Sequence, residues 1–124
     1  MAKITRKNQK IFAGSASNNG QFGSAQAGTK ITDTDLDVLQ ALSAFSTGWN
    51  SATISSQKLP TLEEMQALHY ITTYQIAYML QEGIPEYNSS AEYHTNSIVK
   101  KAGTYELYGS KINTNTGNAL PSRS

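Results

Sequence analysis

One stretch, residues 61–82 (TLEEMQALHYITTYQIAYMLQE), constrains this 124-residue chain more than any other. Pro60-Thr61-Leu62-Glu63-Glu64 opens it with a capping box, Thr61 facing Glu64 three residues on, and Gly83 followed by Pro85 closes it. At 3.6 residues per turn, Leu62, Met65, Leu68, Ile71, Ile76, Met79 and Leu80 cover about half of the circumference. Tyr70, Tyr74 and Tyr78, at i, i+4 and i+8, form a ladder of phenols on the other side. A helix that is aliphatic or aromatic nearly all round needs cover on more than one side, and one short partner helix cannot supply it. Packing against copies of itself about an axis is the economical solution. The expected oligomer interface is Met65, Leu68, Tyr70, Tyr74, Ile76, Tyr78 and Met79. The rival reading is a helix central to a monomeric fold, its tyrosines half exposed.

Composition supports shared burial. Hydrophobic residues make up 38% and charged residues 15%, below the roughly 45–50% and 25% of an average domain. Neutral polar residues and glycine fill the difference, which leaves a modest core for an isolated chain. The sequence has no cysteine, which excludes a disulfide framework, a thiolate nucleophile and cysteine-bound zinc or iron–sulfur sites. No run approaches the roughly 20 apolar residues of a membrane span, and the basic N-terminus carries no signal-peptide core. The expectation is a chain made in a cytoplasm and left unprocessed.

Charge is placed unevenly. Residues 1–30 hold Lys3, Arg6, Lys7, Lys10 and Lys30 and no acid, whereas residues 33–92 hold Asp33, Asp35, Asp37, Glu63, Glu64, Glu82, Glu86 and Glu92 against Lys58 alone. A basic segment of this kind binds nucleic acid or docks on an acidic protein. The glycines, serines and asparagines around these charges give neither a helix nor an aromatic stacking pattern, which favours a protein partner over nucleic acid. Residues 1–30 therefore read as an extended arm with apolar anchors at Ile4, Ile11, Phe12 and Phe22 and a turn at Asn19-Gly20. The residues expected to dock are Lys7, Lys10, Ile11, Phe12 and Phe22. A flexible tail is the alternative that composition allows.

Residues 31–83 read as a two-helix hairpin. Thr32, Asp33 and Thr34 offer N-caps for a first helix whose Leu36, Leu39, Leu42 and Phe45 share a face and whose stop is Gly48, with Trp49 as a core plug. Residues 84–124 change character. Ser97–Lys101 and Thr104–Ile112 are β-prone pieces split by Ala102-Gly103 and fit a hairpin. A lone hairpin is marginal in water, so this small β module must lean on something else. The fold class that follows is α+β: an extended N-terminal arm, a trimerising two-helix hairpin and a C-terminal β module.

Catalytic constellations do not converge. His69 and His94 have no second histidine at metal-ligand spacing, and Glu63 and Glu64 point about 100° apart as cap residues. Nucleophile-elbow, phosphate-loop and dinucleotide motifs do not occur. The reading is of a non-enzyme with no catalytic residue, metal or cofactor.

Three stretches, NQKIFAGSASNNGQFGSAQAG, LQALSAFSTGW and LPTLEEMQALHYITTYQIAYMLQEGIPEYNSSAEYHTNSIV, together resemble a family of tailed-bacteriophage virion proteins of tail-fibre, head-fibre or receptor-binding type. The resemblance spans most of residues 8–118. It implies a structural role on the virion, commonly as a homotrimer, with the N-terminal part holding the protein to other virion proteins and the assembly aiding host adsorption. Residues 85–118 are also similar to small chitin-binding-type carbohydrate modules. Their aromatic–aromatic–strand–glycine–strand pattern falls on Tyr87, Tyr93, Ile98-Val99, Gly103, and Tyr105 or Tyr108. That likeness implies contact between Tyr87, Tyr93, Tyr105 and Tyr108 and a host-surface glycan, the alternative function being a stand-alone glycan-binding module. Nucleic acid and membrane are not expected partners.

Overall fold

Thr61 and Glu64 close the expected capping box. The Thr61 backbone N–H donates to Glu64 Oε2 at 2.9 Å, and the Glu64 N–H donates to Thr61 Oγ1 at 3.2 Å. The structure, a computed structural model, describes residues 2–3, 5–49 and 59–121; the anchor expected at Ile4 lies outside them. From the cap the longest helix, Leu62–Glu82, runs to the predicted stop, where the Gly83 N–H bonds the Met79 carbonyl and Gly83 takes φ +75°. No helix among the described residues is long and apolar enough to cross a membrane.

The fold is α+β, with two small antiparallel sheets. In chain order the elements are β1 (Asn19–Gly20), β2 (Thr32–Asp33), α1 (Leu36–Leu39), α2 (Ala44–Thr47), α3 (Leu62–Glu82), β3 (Ile98–Lys100) and β4 (Leu107–Gly109). They fall into two compact units, Met1–Tyr78 and Met79–Ser124.

Unit 1 corrects two sequence expectations. The first expected helix is two single turns, α1 and α2, because long-range bonds divert its carbonyls. Gln21 Nε2 donates to the Val38 carbonyl at 2.9 Å, and the Phe22 N–H donates to the Leu39 carbonyl at 3.0 Å. Those carbonyls would otherwise accept from residues 42 and 43 to continue the helix. The N-cap is Asp35, whose side chain accepts from the Asp37 N–H, while Asp33 accepts from the N–H groups of Thr34 and Asp35.

The second correction concerns the arm. Asn19-Gly20 is not a turn but a strand, β1, paired with β2 in the register Asn19↔Asp33 and Gly20↔Thr32. Residues 19–24 are all buried, so the segment expected to extend as far as residue 30 joins the core from Asn19 onward. Phe22, only 3% exposed, packs edge-on against Phe45 and Trp49 at ring separations of 6.0 and 5.1 Å. Leu39, Ala67, Tyr70 and Ile71 form the adjoining cluster, with Ala13, Leu36 and Phe45 packed on it.

Gly20 is fixed by close approach. A Cβ there would stand 2.9 Å from the Glu64 nitrogen and 3.1 Å from the Glu63 carbonyl carbon, both backbone atoms that cannot move aside. Gly20→Ala is therefore expected to lower the unfolding free energy by about 2–3 kcal/mol, read as a reduced urea midpoint at unchanged slope.

In unit 2, β3 and β4 pair as Ile98↔Gly109, Val99↔Tyr108 and Lys100↔Leu107. Two single bridges widen this hairpin, Glu86 beside Lys100 and Tyr93 beside Asn115. The Tyr93 and Asn115 backbones exchange both hydrogen bonds, at 2.9 and 2.8 Å. Lys100 forms an ion pair with Glu82, and Val99 is buried.

Candidate functional site

The buried side chains of α3 are Glu64, Ala67, Tyr70, Ile71 and Ala77. Of the tyrosine ladder, Tyr70 lies on this buried face, beside Ala67, Ile71 and Ala77. Tyr70 is 8% exposed and its hydroxyl donates to the Thr34 carbonyl at 3.1 Å. Its ring meets that of Tyr74 at 5.9 Å. The aliphatic side chains on the opposite face stand outward: Leu62 is 79% exposed, Met79 55%, Ile76 42% and Met65 39%.

Of the expected interface, Met65, Ile76 and Met79 thus form an outward row, Tyr74 is 40% exposed, and Leu68 and Tyr78 are half-buried. Tyr70 is corrected: its ring is buried and its hydroxyl is bonded within unit 1. Met65 also helps line, with Trp49, Leu59 and Pro60, an open apolar hollow of about 360 Å³. Trp49, expected as a core plug, packs on Phe22 with one side and remains 42% exposed.

Residues Lys7, Lys10, Ile11 and Phe12, expected to dock on another protein, are all exposed. Phe12 is tethered rather than free. Its backbone N–H donates to Thr73 Oγ1 at 2.9 Å, and its ring lies edge-on to His69 at 5.5 Å. Phe22, assigned the same role from sequence, is corrected, because its pocket is in its own chain.

No family model, curated protein or solved structure matches this chain. Chemistry must therefore be read from the surfaces themselves. Among the described residues, no group of three or more His, Cys, Asp or Glu side chains is placed to hold a metal ion.

Unit 2 carries a second surface, a cleft of about 310 Å³. Tyr87, Tyr93 and Tyr108 line it together with Ser97, Val99, Asn115 and the segment Asn118–Pro121. The structure gathers three of the four tyrosines expected to touch glycan; Tyr105 is fully exposed and lies outside the cleft. Tyr87 and Tyr93 stack on each other, with centroids 5.8 Å apart and planes 24° apart, so each covers one face of the other. All three hydroxyls are engaged. Tyr87 donates to the Asn118 carbonyl at 2.6 Å, Tyr93 accepts from the Asn88 N–H at 2.9 Å, and Tyr108 reaches Glu106 Oε2 at 3.2 Å and the Pro121 carbonyl at 3.4 Å.

Sequence reasoning missed two features. One is the reach of Glu64 beyond its cap. The buried carboxylate also accepts from the Gly23 N–H at 2.9 Å and from Gln26 Nε2 at 3.3 Å, a pairing with residues about forty positions upstream that no local pattern encodes. Beside it, a hydrogen bond from its own backbone and then Lys30, at 3.1 Å, hold the Glu63 carboxyl below its usual 4.5. With its folded value depressed, that small contribution is present at neutral pH and disappears as pH falls below 4.5. The second feature is the polar wall of the cleft, Asn115 and Asn118, whose side chains bond each other at 2.6 Å. The only signal for it was the turn-rich NTNTGN run.

Proposed function

We propose that this chain is a structural protein of a tailed-bacteriophage particle. In this reading it assembles as a trimer through the outward face of α3, fixes a fibre or adaptor to the particle and contributes to host adsorption. One observation carries the assembly step: Leu62, Met65, Ile76 and Met79 are 39–79% exposed along a single helix whose opposite face is already buried. Covering the exposed part of each such side chain gains on the order of 1–2 kcal/mol, and a sister copy of the same row offers a matching apolar surface. The exposed residues Lys7, Lys10, Ile11 and Phe12 support attachment of the trimer to another virion protein, the basic charges meeting an acidic surface. Three copies on one stalk multiply weak contacts with a host surface.

Light scattering on the purified full chain tests the assembly. The expected mass is that of three chains, independent of concentration over the micromolar range. A single-chain mass at high concentration would overturn the reading.

A further inference from the structure

The Asn19-Gly20 pair has a chemistry at odds with where it sits. Asparagine followed by glycine is the pair most open to cyclisation, because a glycine nitrogen has no side chain beside it to obstruct its approach to the amide carbon. In that reaction the Gly20 nitrogen attacks Cγ of Asn19, the Cγ–Nδ2 bond breaks, and ammonia leaves with the proton the nitrogen gives up. Water then opens the resulting imide ring. Cleavage on the side-chain side gives aspartate. Cleavage on the backbone side gives isoaspartate, whose main chain is one carbon longer.

Folding of unit 1 withholds the conditions this reaction needs. Asn19 is fully buried, so hydroxide and water do not reach its amide. Pairing with Asp33 holds its backbone extended, which keeps the Gly20 nitrogen away from Cγ. Asn19 Oδ1 accepts from Gln66 Nε2 at 3.1 Å, which ties the side chain to α3. Gly20 lies so close to the start of α3 that a Cβ would stand 2.9 Å from the Glu64 nitrogen, and its nitrogen has no room to swing. Asn19 Nδ2, the leaving group, has no acceptor among the described residues, so burial, strand pairing and the Gln66 bond supply the protection.

Neither product fits the closed fold. Aspartate would place a carboxylate in a fully buried position with the Gln66 amide as donor and no counter-charge, a costly arrangement. Isoaspartate would lengthen the chain just ahead of residues 20–24, all buried, where Gly20 already lacks space for a methyl group.

We propose that Asn19-Gly20 is a self-modification site sealed by the folding of unit 1: opening of β1 permits cyclisation, and the deamidated chain does not close again. Each chain then carries a covalent record of whether unit 1 has been open, and unfolding that outlasts ring closure becomes irreversible. This chemistry is independent of assembly through α3.

The test keeps the full chain at mildly alkaline pH in native buffer and, in parallel, in urea beyond its unfolding transition. A synthetic peptide of residues 16–24 is kept in both solvents. Digestion and tandem mass spectrometry follow the single-unit mass gain at Asn19, which fragmentation separates from any at its exposed neighbour Asn18. Conversion is expected to be more than tenfold slower in the folded chain than in urea, because it waits for opening. The peptide should convert at the unfolded rate in both solvents. Gly20→Ala in the peptide should slow it about tenfold, since a Cβ obstructs the attacking nitrogen. After urea is removed, unconverted chains should regain the unit 1 transition, read by helical circular dichroism, and converted chains should not. Equal conversion of Asn19 in folded and unfolded chains overturns the proposal, as does a peptide that fails to convert. Converted chains that regain the native transition overturn it equally.

Discussion

Removal of residues 2–30 is expected to abolish the cooperative unfolding transition of unit 1, whereas removal of residues 2–10 leaves it within about 0.5 kcal/mol of the full chain. The contrast follows from where burial begins. Residues 2–3, 5–8 and 10 are exposed, but Asn19 is fully buried, Phe22 is 3% exposed, and the N–H groups of Gln21, Phe22 and Gly23 bond the carbonyls of Ile31 and Leu39 and the carboxylate of Glu64. Without them Phe45 and Trp49 lose their ring partner and the core cluster is opened to water. Glu64→Ala is the single-residue counterpart. It removes the cap acceptor, about 1 kcal/mol, and strands the Gly23 N–H, a further 1–3 kcal/mol. A total near 3 kcal/mol is expected, with Glu64→Gln losing about half because it keeps one carbonyl acceptor. Urea titration followed by helical circular dichroism reads all four proteins. Retention of a native transition after removal of residues 2–30 would show that this segment is the free arm its composition suggests.

Ile76→Asp and Met79→Asp are each expected to convert the proposed trimer to single chains while leaving the fold of each chain intact. In one chain these positions are 42% and 55% exposed, so a carboxylate there stays in water and alters stability by no more than about 1 kcal/mol. In a seam between copies it would be desolvated without a counter-charge and would forfeit the roughly 1 kcal/mol gained by covering the exposed half of the original side chain. Light scattering gives the mass and circular dichroism the fold. If both variants keep the mass of three chains, the seam lies elsewhere on the surface.

What the sequence made legible was local chemistry. The Thr61–Glu64 box, the stop at Gly83 and the β3–β4 hairpin each rest on residues within about a dozen positions of one another, and each is where the pattern placed it. What stayed hidden depends on pairing across distance. The Val38 and Leu39 carbonyls accept from Gln21 and Phe22, which cuts the expected first helix in two, and nothing in residues 32–48 signals it. The helical wheel of α3 showed two non-polar sides without saying which turns inward. Ala67 and Ala77 are on the buried side, and alanines count for little in a hydrophobic pattern. The cleft of unit 2 was half legible: the tyrosines were visible as a set, but their stacking and the segment that accepts from their hydroxyls were not.

The clasp between Glu64 and Gly23 also dictates an order of events when the chain is made. The segment around Gly23 leaves the ribosome first and waits for a carboxylate 41 residues later. Closing so long a loop is slow compared with winding a helical turn. The start of the long helix should therefore wind early on its local cap, and capture of the earlier segment should set the pace, so Gly20→Ala should slow refolding as well as weaken the product.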